Sequence, residues 1–262
     1  PPLELLAGLY FMLHAGSFVF EMKAGDAEEF LGAARVASLV VKDRDGEVLR
    51  DRPSPFSGHR ALWVKPSEVS PHFLSAVVAA EDRRFYSHGG VDPLALVRAV
   101  FQNVTSLRIV SGGSTITQQV VKVATGGTRH RTLGRKLCET AGALYLERSL
   151  SKDRILESYI NWVVFGNLTR GVEAASRLYF DKPAAHLTLS EATALASLLR
   201  APTALNPYNH PGRLEERRAW ILGRMLDLGM IGKSEHDYAL AHPPDYASTA
   251  HPFLAPHLVE RI

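Results

Sequence analysis

Residues 70–90 read SPHFLSAVVAAEDRRFYSHGG, and this stretch decides the fold. Ser70 is a good N-cap, Pro71 suits a first helical position, and Val69 is placed to staple to Leu74. Leu74, Val78, Glu81 and Phe85 recur at helical spacing with Val77 beside them, so the pattern predicts a helix. Glu81 lies on that apolar stripe. Its carboxylate therefore points toward apolar surroundings, where desolvation makes a carboxylate a stronger base. The plainer reading is a buried glutamate paired with Arg84 or with another helix.

Upstream, Ala37 to Val41 is apolar and β-prone, Asp45-Gly46 supplies a hairpin turn, and Val48-Leu49 resumes. Residues 51–67 are rich in Pro and Ser and read as loop. Downstream, helical signals dominate. Gly112 to Val123 suits strand or helix by period, but Thr115 with Gln118 fits a capping box, which favours helix. Leu133, Leu137, Ala141 and Leu144 make one apolar face. Ser151 caps the next helix, whose face includes Ile155, Leu156 and Tyr159. Thr188 and Glu191 form a capping box before Ala192, Leu195, Ala196 and Leu199. A further helix runs from Pro211 to about Leu228 and stops at Gly229. Residues 242–257 return to Pro-rich loop. The fold class is mainly α with a small N-terminal β-hairpin.

The chain has 262 residues, 46% hydrophobic and 22% charged, enough for a real core. Its single cysteine, Cys138, excludes an internal disulfide. A net charge of +3 is too small to argue for nucleic acid. The cations are clustered instead: Arg129, His130, Arg131, Arg135 and Lys136 form either a solvated helix start or a site for a polyanion. Leu3 to Phe20 is almost wholly apolar, broken by Glu4 and His14. It reads either as part of a membrane helix, slightly short of the roughly 20 residues a span needs, or as a core helix.

Gly112-Gly-Ser-Thr115 before Gln118, Gln119 and Lys122 places glycines at a helix start, where free N–H groups suit an anion. That signal is weak alone, and no phosphate-loop lysine follows it. Arg135 and Lys136 share a helix with Glu139. This is either a surface ion pair, worth about 0–1 kcal/mol, or a second carboxylate among cations that hold a diphosphate. The eleven histidines make no zinc pattern.

Together these segments resemble the glycosyltransferase family 51 domain, the peptidoglycan polymerase module. Glu81-Asp-Arg-Arg-Phe85-Tyr-Ser-His88-Gly-Gly90 is similar to its first motif, and Gly112 through Lys122 to its second. Arg135-Lys-Leu-Cys-Glu139 is similar to the third. Ser151 through Asn161, with Gly171 to Phe180, is similar to the fourth, and Leu189 through Pro202 to the fifth. Five motifs in order, over about residues 37–230, are a specific match. Within the family, the region before Glu81 and the tail Phe253-Leu-Ala-Pro-His257 look most like class A penicillin-binding proteins of the 1C type. Two departures stand out. Asp181 occupies a usual glycine before Lys182, and Leu168-Thr169-Arg170 replaces a segment that often carries glycine.

The resemblance implies a lysozyme-like fold with residues 1–36 near or in the membrane, a glycosyltransferase domain over 37–241, and a tail over 242–262 leading toward a further domain. It implies lipid II and a polyprenyl diphosphate-linked glycan as substrates, and the outer (periplasmic) face of the bacterial inner membrane as location. Cell-wall synthesis machinery would be the partner, with no nucleic acid. Glu81 would be the general base. Lys122, Arg131, Arg135 and Lys136 would hold the leaving diphosphate, with a divalent metal (Mg or Mn) as a candidate helper near Glu139. Glu139 would orient these cations. Phe85, Arg98, Ser114, Thr115, Gln118 and Gln119 would shape the substrate site. A lytic hydrolase or a non-catalytic scaffold are the alternatives. The basic cluster argues against the first, and intact Glu81 and Glu139 against the second.

Ser149-Leu-Ser-Lys152 has the serine-to-lysine spacing of a transpeptidase nucleophile, but its two companion elements are absent from the chain. Ser151 is better explained as a helix cap. A fluorescent penicillin is expected to leave this chain unlabelled; stoichiometric acylation at Ser149 would overturn that expectation.

Overall fold

The computed structural model describes residues 27–29, 31, 39–42, 44, 48–52, 58–98, 113–126 and 132–247. The expectations for Leu3 to Phe20, for the Asp45-Gly46 turn, for Gly112, for Arg129 to Arg131 and for the tail from Phe253 fall outside these residues. No helix among the described residues is long and apolar enough to cross a membrane. The chain forms two compact units, one of Pro1–Arg35 with Glu81–Tyr159, the other of Val36–Ala80 with Ile160–Ile262. The architecture is mainly helical, as the sequence predicts.

In the second unit, β1 (Leu39–Lys42) and β2 (Val48–Arg52) pair antiparallel as the expected hairpin. Helix α1 (Pro71–Glu81) starts where predicted. The Ser70 hydroxyl, however, donates to the Leu187 carbonyl at 2.7 Å instead of capping the helix. Phe73, Ala76, Val77, Val78 and Ala79 are buried on α1, while Leu74 is half-buried. The stripe was expected to continue through Phe85. The helix instead ends at Glu81, and Phe85 opens a separate 3₁₀ turn, Phe85–Ser87.

A three-stranded sheet escaped the sequence reading. β3 (Arg60–Ala61) pairs parallel with β5 (Thr169–Arg170), which pairs antiparallel with β4 (Val164–Gly166). β3 lies in the stretch read as loop, and two-residue strands carry no period. Asn161 fastens this region by a two-way bond to Val64: its side-chain amide donates to the carbonyl at 2.8 Å, and its oxygen accepts the N–H at 3.0 Å. The rest is helical: α5 (Val172–Phe180), α6 (Leu189–Leu198), α7 (Pro211–Asp227) and α8 (Lys233–Ala241). The predicted Thr188–Glu191 capping box starts α6, and Gly229 follows α7 at φ +67°. α8 was not foreseen, because its exposed face dilutes the apolar period. It is tied to α7 by buried Arg218, which donates to the Ala239 carbonyl at 2.8 Å.

In the first unit, residues 93–98 are helical, followed by α2 (Ile116–Ala124), α3 (Leu133–Ser149) and α4 (Lys152–Trp162). The ambiguous second-motif stretch is a helix, and its Thr115–Gln118 capping box is formed. Ser151 caps α4 by accepting the Arg154 N–H at 3.2 Å, and Ile155, Leu156 and Tyr159 are buried on it. The apolar face expected on α3 is not a core face: Leu137 and Leu144 are each 41% exposed, while Ala143 and Leu146 are buried. α2 approaches α3 closely at Gly142, where an added Cβ would lie 2.8 Å from Val121 Cγ1.

Both departures from the family's glycine pattern sit where the backbone is left-handed. Asn167 (φ +48°) and Leu168 (φ +55°) form the two-residue β4–β5 turn, and Asp181 (φ +53°) caps α5. Such turns need positive φ at both central residues, and glycine suits the second. Leu168 is 60% exposed, so it gains little burial there. Replacing Leu168 by Gly should raise unfolding stability by about 1 kcal/mol, since an L-residue in this conformation costs about 1–2 kcal/mol. Urea denaturation would read this as a higher midpoint; a lower midpoint would mean the leucine side chain holds the turn.

Candidate active site

The site belongs to the first unit and is built from the end of α1 outward. Glu81 is the last residue of α1, half-buried, and its Oε2 accepts the Gln119 side-chain amide at 2.9 Å. It is therefore held by a neutral donor, and Arg84 pairs with Asp92 at 3.3 Å instead.

The next residue, Asp82, is buried and turns inward. Both its oxygens lie 3.0 Å from His88 Nε2, and Oδ2 accepts the Ile116 N–H at 3.0 Å. A carboxylate at the first turn of a helix satisfies an orphan donor and faces the positive end of the helix dipole. His88 Nδ1 accepts the Gly90 N–H at 3.2 Å, so Nε2 carries the proton that points at Asp82. Gly90 (φ +96°) is confined to glycine: an added Cβ would lie 2.6 Å from the Ala143 carbonyl oxygen. The Gly90 carbonyl accepts the Thr115 hydroxyl at 2.6 Å. Through Asp82, His88, Gly90 and Thr115 the first motif is bonded to the start of α2, which places Gln119 against Glu81.

A second network lies behind the first. Lys152 Nζ donates to the His88 carbonyl at 2.6 Å and to Glu147 Oε1 at 2.7 Å, and stands 4.5 Å over the Phe85 ring. Thr117 donates to the same Glu147 oxygen at 2.6 Å. Glu147 and Lys152 bridge the break between α3 and α4 and join motifs one, two and four.

The third cluster carries the cation. Lys136 Nζ donates to Ser114 Oγ at 2.8 Å, Glu139 Oε2 at 3.1 Å and Gln118 Oε1 at 3.3 Å. Gln118 also accepts the Thr115 N–H at 3.1 Å and donates to Thr140 at 2.9 Å. The expected helical ion pair with Glu139 thus exists. It is part of a polar cradle shared with the glycine-rich helix start, which gives Lys136 a defined place instead of a solvated one.

The structure sorts the expected site residues. Ser114, Gln118, Lys136 and Glu139 meet in one cluster, and Gln119 meets Glu81. Lys122 is exposed near the end of α2, and Arg135 is half-buried on α3. Arg98 is half-buried, with Nη2 unpartnered among the described residues. Phe85 is 0% exposed beneath Lys152, and Thr115 is buried as a helix cap. Arg131 lies outside the described residues. Asp82, His88, Glu147 and Lys152 were given no role from sequence; Asp82 pairs with nearby His88 and Glu147 with nearby Lys152, but the bonds that join these pairs to α2 and to each other reach 30 or more positions along the chain, and no periodic signal marks them. No group of three His, Cys, Asp or Glu side chains that could hold a metal occurs among the described residues, and Glu139 is already paired with Lys136.

Residues 45–226 match the family model described as Transglycosylase, and the chain belongs to that family. Family membership agrees with the helical architecture and the ordered motifs. Among similar proteins, penicillin-binding protein 1A of Aquifex aeolicus (strain VF5) is 43% identical over 70% of this chain and 25% of its own length. Penicillin-binding protein 1A of Pseudomonas aeruginosa is 40% identical over 78% of this chain and 24% of its own length. A crystal structure of penicillin-binding protein 1A from Haemophilus influenzae superposes with a TM-score of 0.47 at 25% identity, covering 86% of this chain and 23% of that one. The chain spans about a quarter of the length of the relatives it matches. These relatives are of the 1A type, so the finer likeness to the 1C type gains no support from them.

Proposed function

We propose that this chain polymerises lipid II into β-1,4-linked glycan strands with release of polyprenyl diphosphate. The observation that carries the reading is the pairing of Glu81 with Gln119, next in sequence to Gln118, whose oxygen meets Lys136. One helix, α2, thus brings a carboxylate base and a cation cradle together within the first unit.

The acceptor's 4-hydroxyl oxygen attacks the anomeric carbon of the donor as the bond to the diphosphate oxygen breaks. Glu81 takes the hydroxyl proton, the leaving diphosphate keeps the bonding pair, and the α-linked donor becomes a β-linked product by inversion. Base help of this kind gives about 10²- to 10⁴-fold. The developing charge on the diphosphate needs donors. Lys136 in its cradle, with Lys122, Arg131 and Arg135, supplies them. Glu139 positions Lys136.

A lipid-linked substrate implies work at a membrane, on the outer face of the bacterial inner membrane and alongside cell-wall synthesis machinery. Tyr86, Leu94, Leu96, Val97, Leu137 and Leu144 are exposed in the first unit and are suited to lipid contact.

Incubation with labelled lipid II should give polymer, and Glu81→Gln should keep the fold but lose at least about 10²-fold in polymerisation. Cleaved glycan in place of polymer would identify a lytic enzyme. Activity of Glu81→Gln within a few-fold of the parent would remove Glu81 from the role of base.

A further inference from the structure

Thr140 lies on α3, one turn beyond Lys136, in the same unit as the glycine-rich start of α2. Its hydroxyl donates to the Lys136 carbonyl at 2.9 Å, the bond to the preceding turn that a threonine inside a helix can make. That bond uses the only hydrogen the hydroxyl has, so toward its other neighbour Oγ can only accept. The other neighbour is the Gln118 side-chain amide, which donates to it at 2.9 Å.

Gln118 is 3% exposed, and the two ends of its amide are not interchangeable there. The nitrogen faces Thr140. The oxygen faces two donors, the Thr115 N–H at 3.1 Å and Lys136 Nζ at 3.3 Å. Turned over, the amide would set its own N–H groups against an ammonium and a backbone N–H. Lys136 has three hydrogens to give, and it meets three acceptors: Ser114 Oγ, Gln118 Oε1 and Glu139 Oε2. A buried amide nitrogen deprived of its acceptor is costly, so without the Thr140 hydroxyl the Gln118 side chain is drawn away from this place. The ammonium then loses one of its three holds. The Lys136 side chain is 41% exposed, which leaves room for a ligand to reach it.

We propose that Thr140 is a positioning residue for Lys136: its hydroxyl holds the Gln118 amide with the oxygen toward the ammonium, and so sets where that charge stands as the diphosphate leaves. The proposal rests on the reading of Lys136 as a donor to the leaving diphosphate. Thr140 acts only through Gln118. Charge on the diphosphate develops as its bond breaks, so a displaced Lys136 costs turnover and not substrate binding. A loss confined to the transition state lowers kcat and leaves KM in place.

The test measures kcat and KM for lipid II polymerisation by the full-length protein in detergent, with thermal unfolding alongside. The variants are Thr140→Val, Thr140→Ser, Lys136→Ala and the double variant of Thr140→Val with Lys136→Ala. Thr140→Val keeps the shape of the side chain and loses the hydroxyl. Its kcat should fall about tenfold, as for loss of one hydrogen bond to a charged group, with KM within about twofold of the parent. Thr140→Ser keeps the donor and the acceptor and should stay within about threefold of the parent in kcat. With Lys136 already Ala, Thr140→Val should cost less than about twofold more, because the group it acts on is gone. Parental kcat in Thr140→Val, with or without a lower unfolding temperature, would make Thr140 a residue of the fold alone. Losses that multiply in the double variant, or a Thr140→Ser as impaired as Thr140→Val, would overturn the proposal in the same way. If Lys136→Ala keeps its turnover, the reading of Lys136 as diphosphate donor fails. If Lys136→Ala loses turnover and Thr140→Val matches the parent, the role of Thr140 alone fails.

Discussion

The buried carboxylate of Asp82 is the interaction on which the rest of the site depends. It follows Glu81 directly, so whatever fixes Asp82 fixes the end of α1. Its three contacts, to His88 through both oxygens and to the Ile116 N–H, leave it little freedom. They also make the start of α2 part of the same unit as the end of α1. Hydrogen bonds to a charged group are worth about 1.5–3 kcal/mol each, and a buried carboxylate deprived of them carries its full desolvation cost. Glu81 is therefore presented by a rigid neighbour, not by its own packing.

From that anchor two further ties radiate. Glu147 and Lys152 close the back of the turn that holds His88, with the Phe85 ring packed under the ammonium. Gln118, on the turn that Asp82 fixes, hands its oxygen to Lys136. Glu81, Gln119, Lys136 and Glu139 thus sit on helices, while Asp82, His88 and Glu147, which brace this region, are polar and buried. Such networks are costly when half satisfied and rigid when complete.

The parts of this arrangement that were legible in the sequence follow a local rule. The capping boxes at Thr115 and Thr188, the Ser151 cap and the glycine after α7 depend on residues within a few positions of one another, and all four took their expected places. The Thr115 box also decided correctly between helix and strand where periodicity did not. Readings that depended on distant partners went astray. Ser70 resembles a cap by position, yet Leu187, far along the chain, takes its hydroxyl. Leu137 and Leu144 have core spacing but face outward, because period fixes a face and not what covers it. Phe85 looked like the next stripe residue after Glu81, although the chain leaves the helix there. The candidate site residues stand out in the sequence because their motifs are ordered along the chain. Asp82, His88, Glu147 and Lys152 carry the geometry without a local signature, and only the folded structure assigns them a task.

The central claim is that the Asp82 tie serves catalysis by setting Glu81. A double-mutant cycle in lipid II polymerisation, combining Asp82→Asn with Glu81→Gln, tests it most directly, since residues acting as a unit are strongly non-additive. Asp82→Asn should cost turnover in the parent but less than about twofold more once Glu81 is already Gln. Losses that multiply in the double variant would contradict it and would make Asp82 a support of the fold alone.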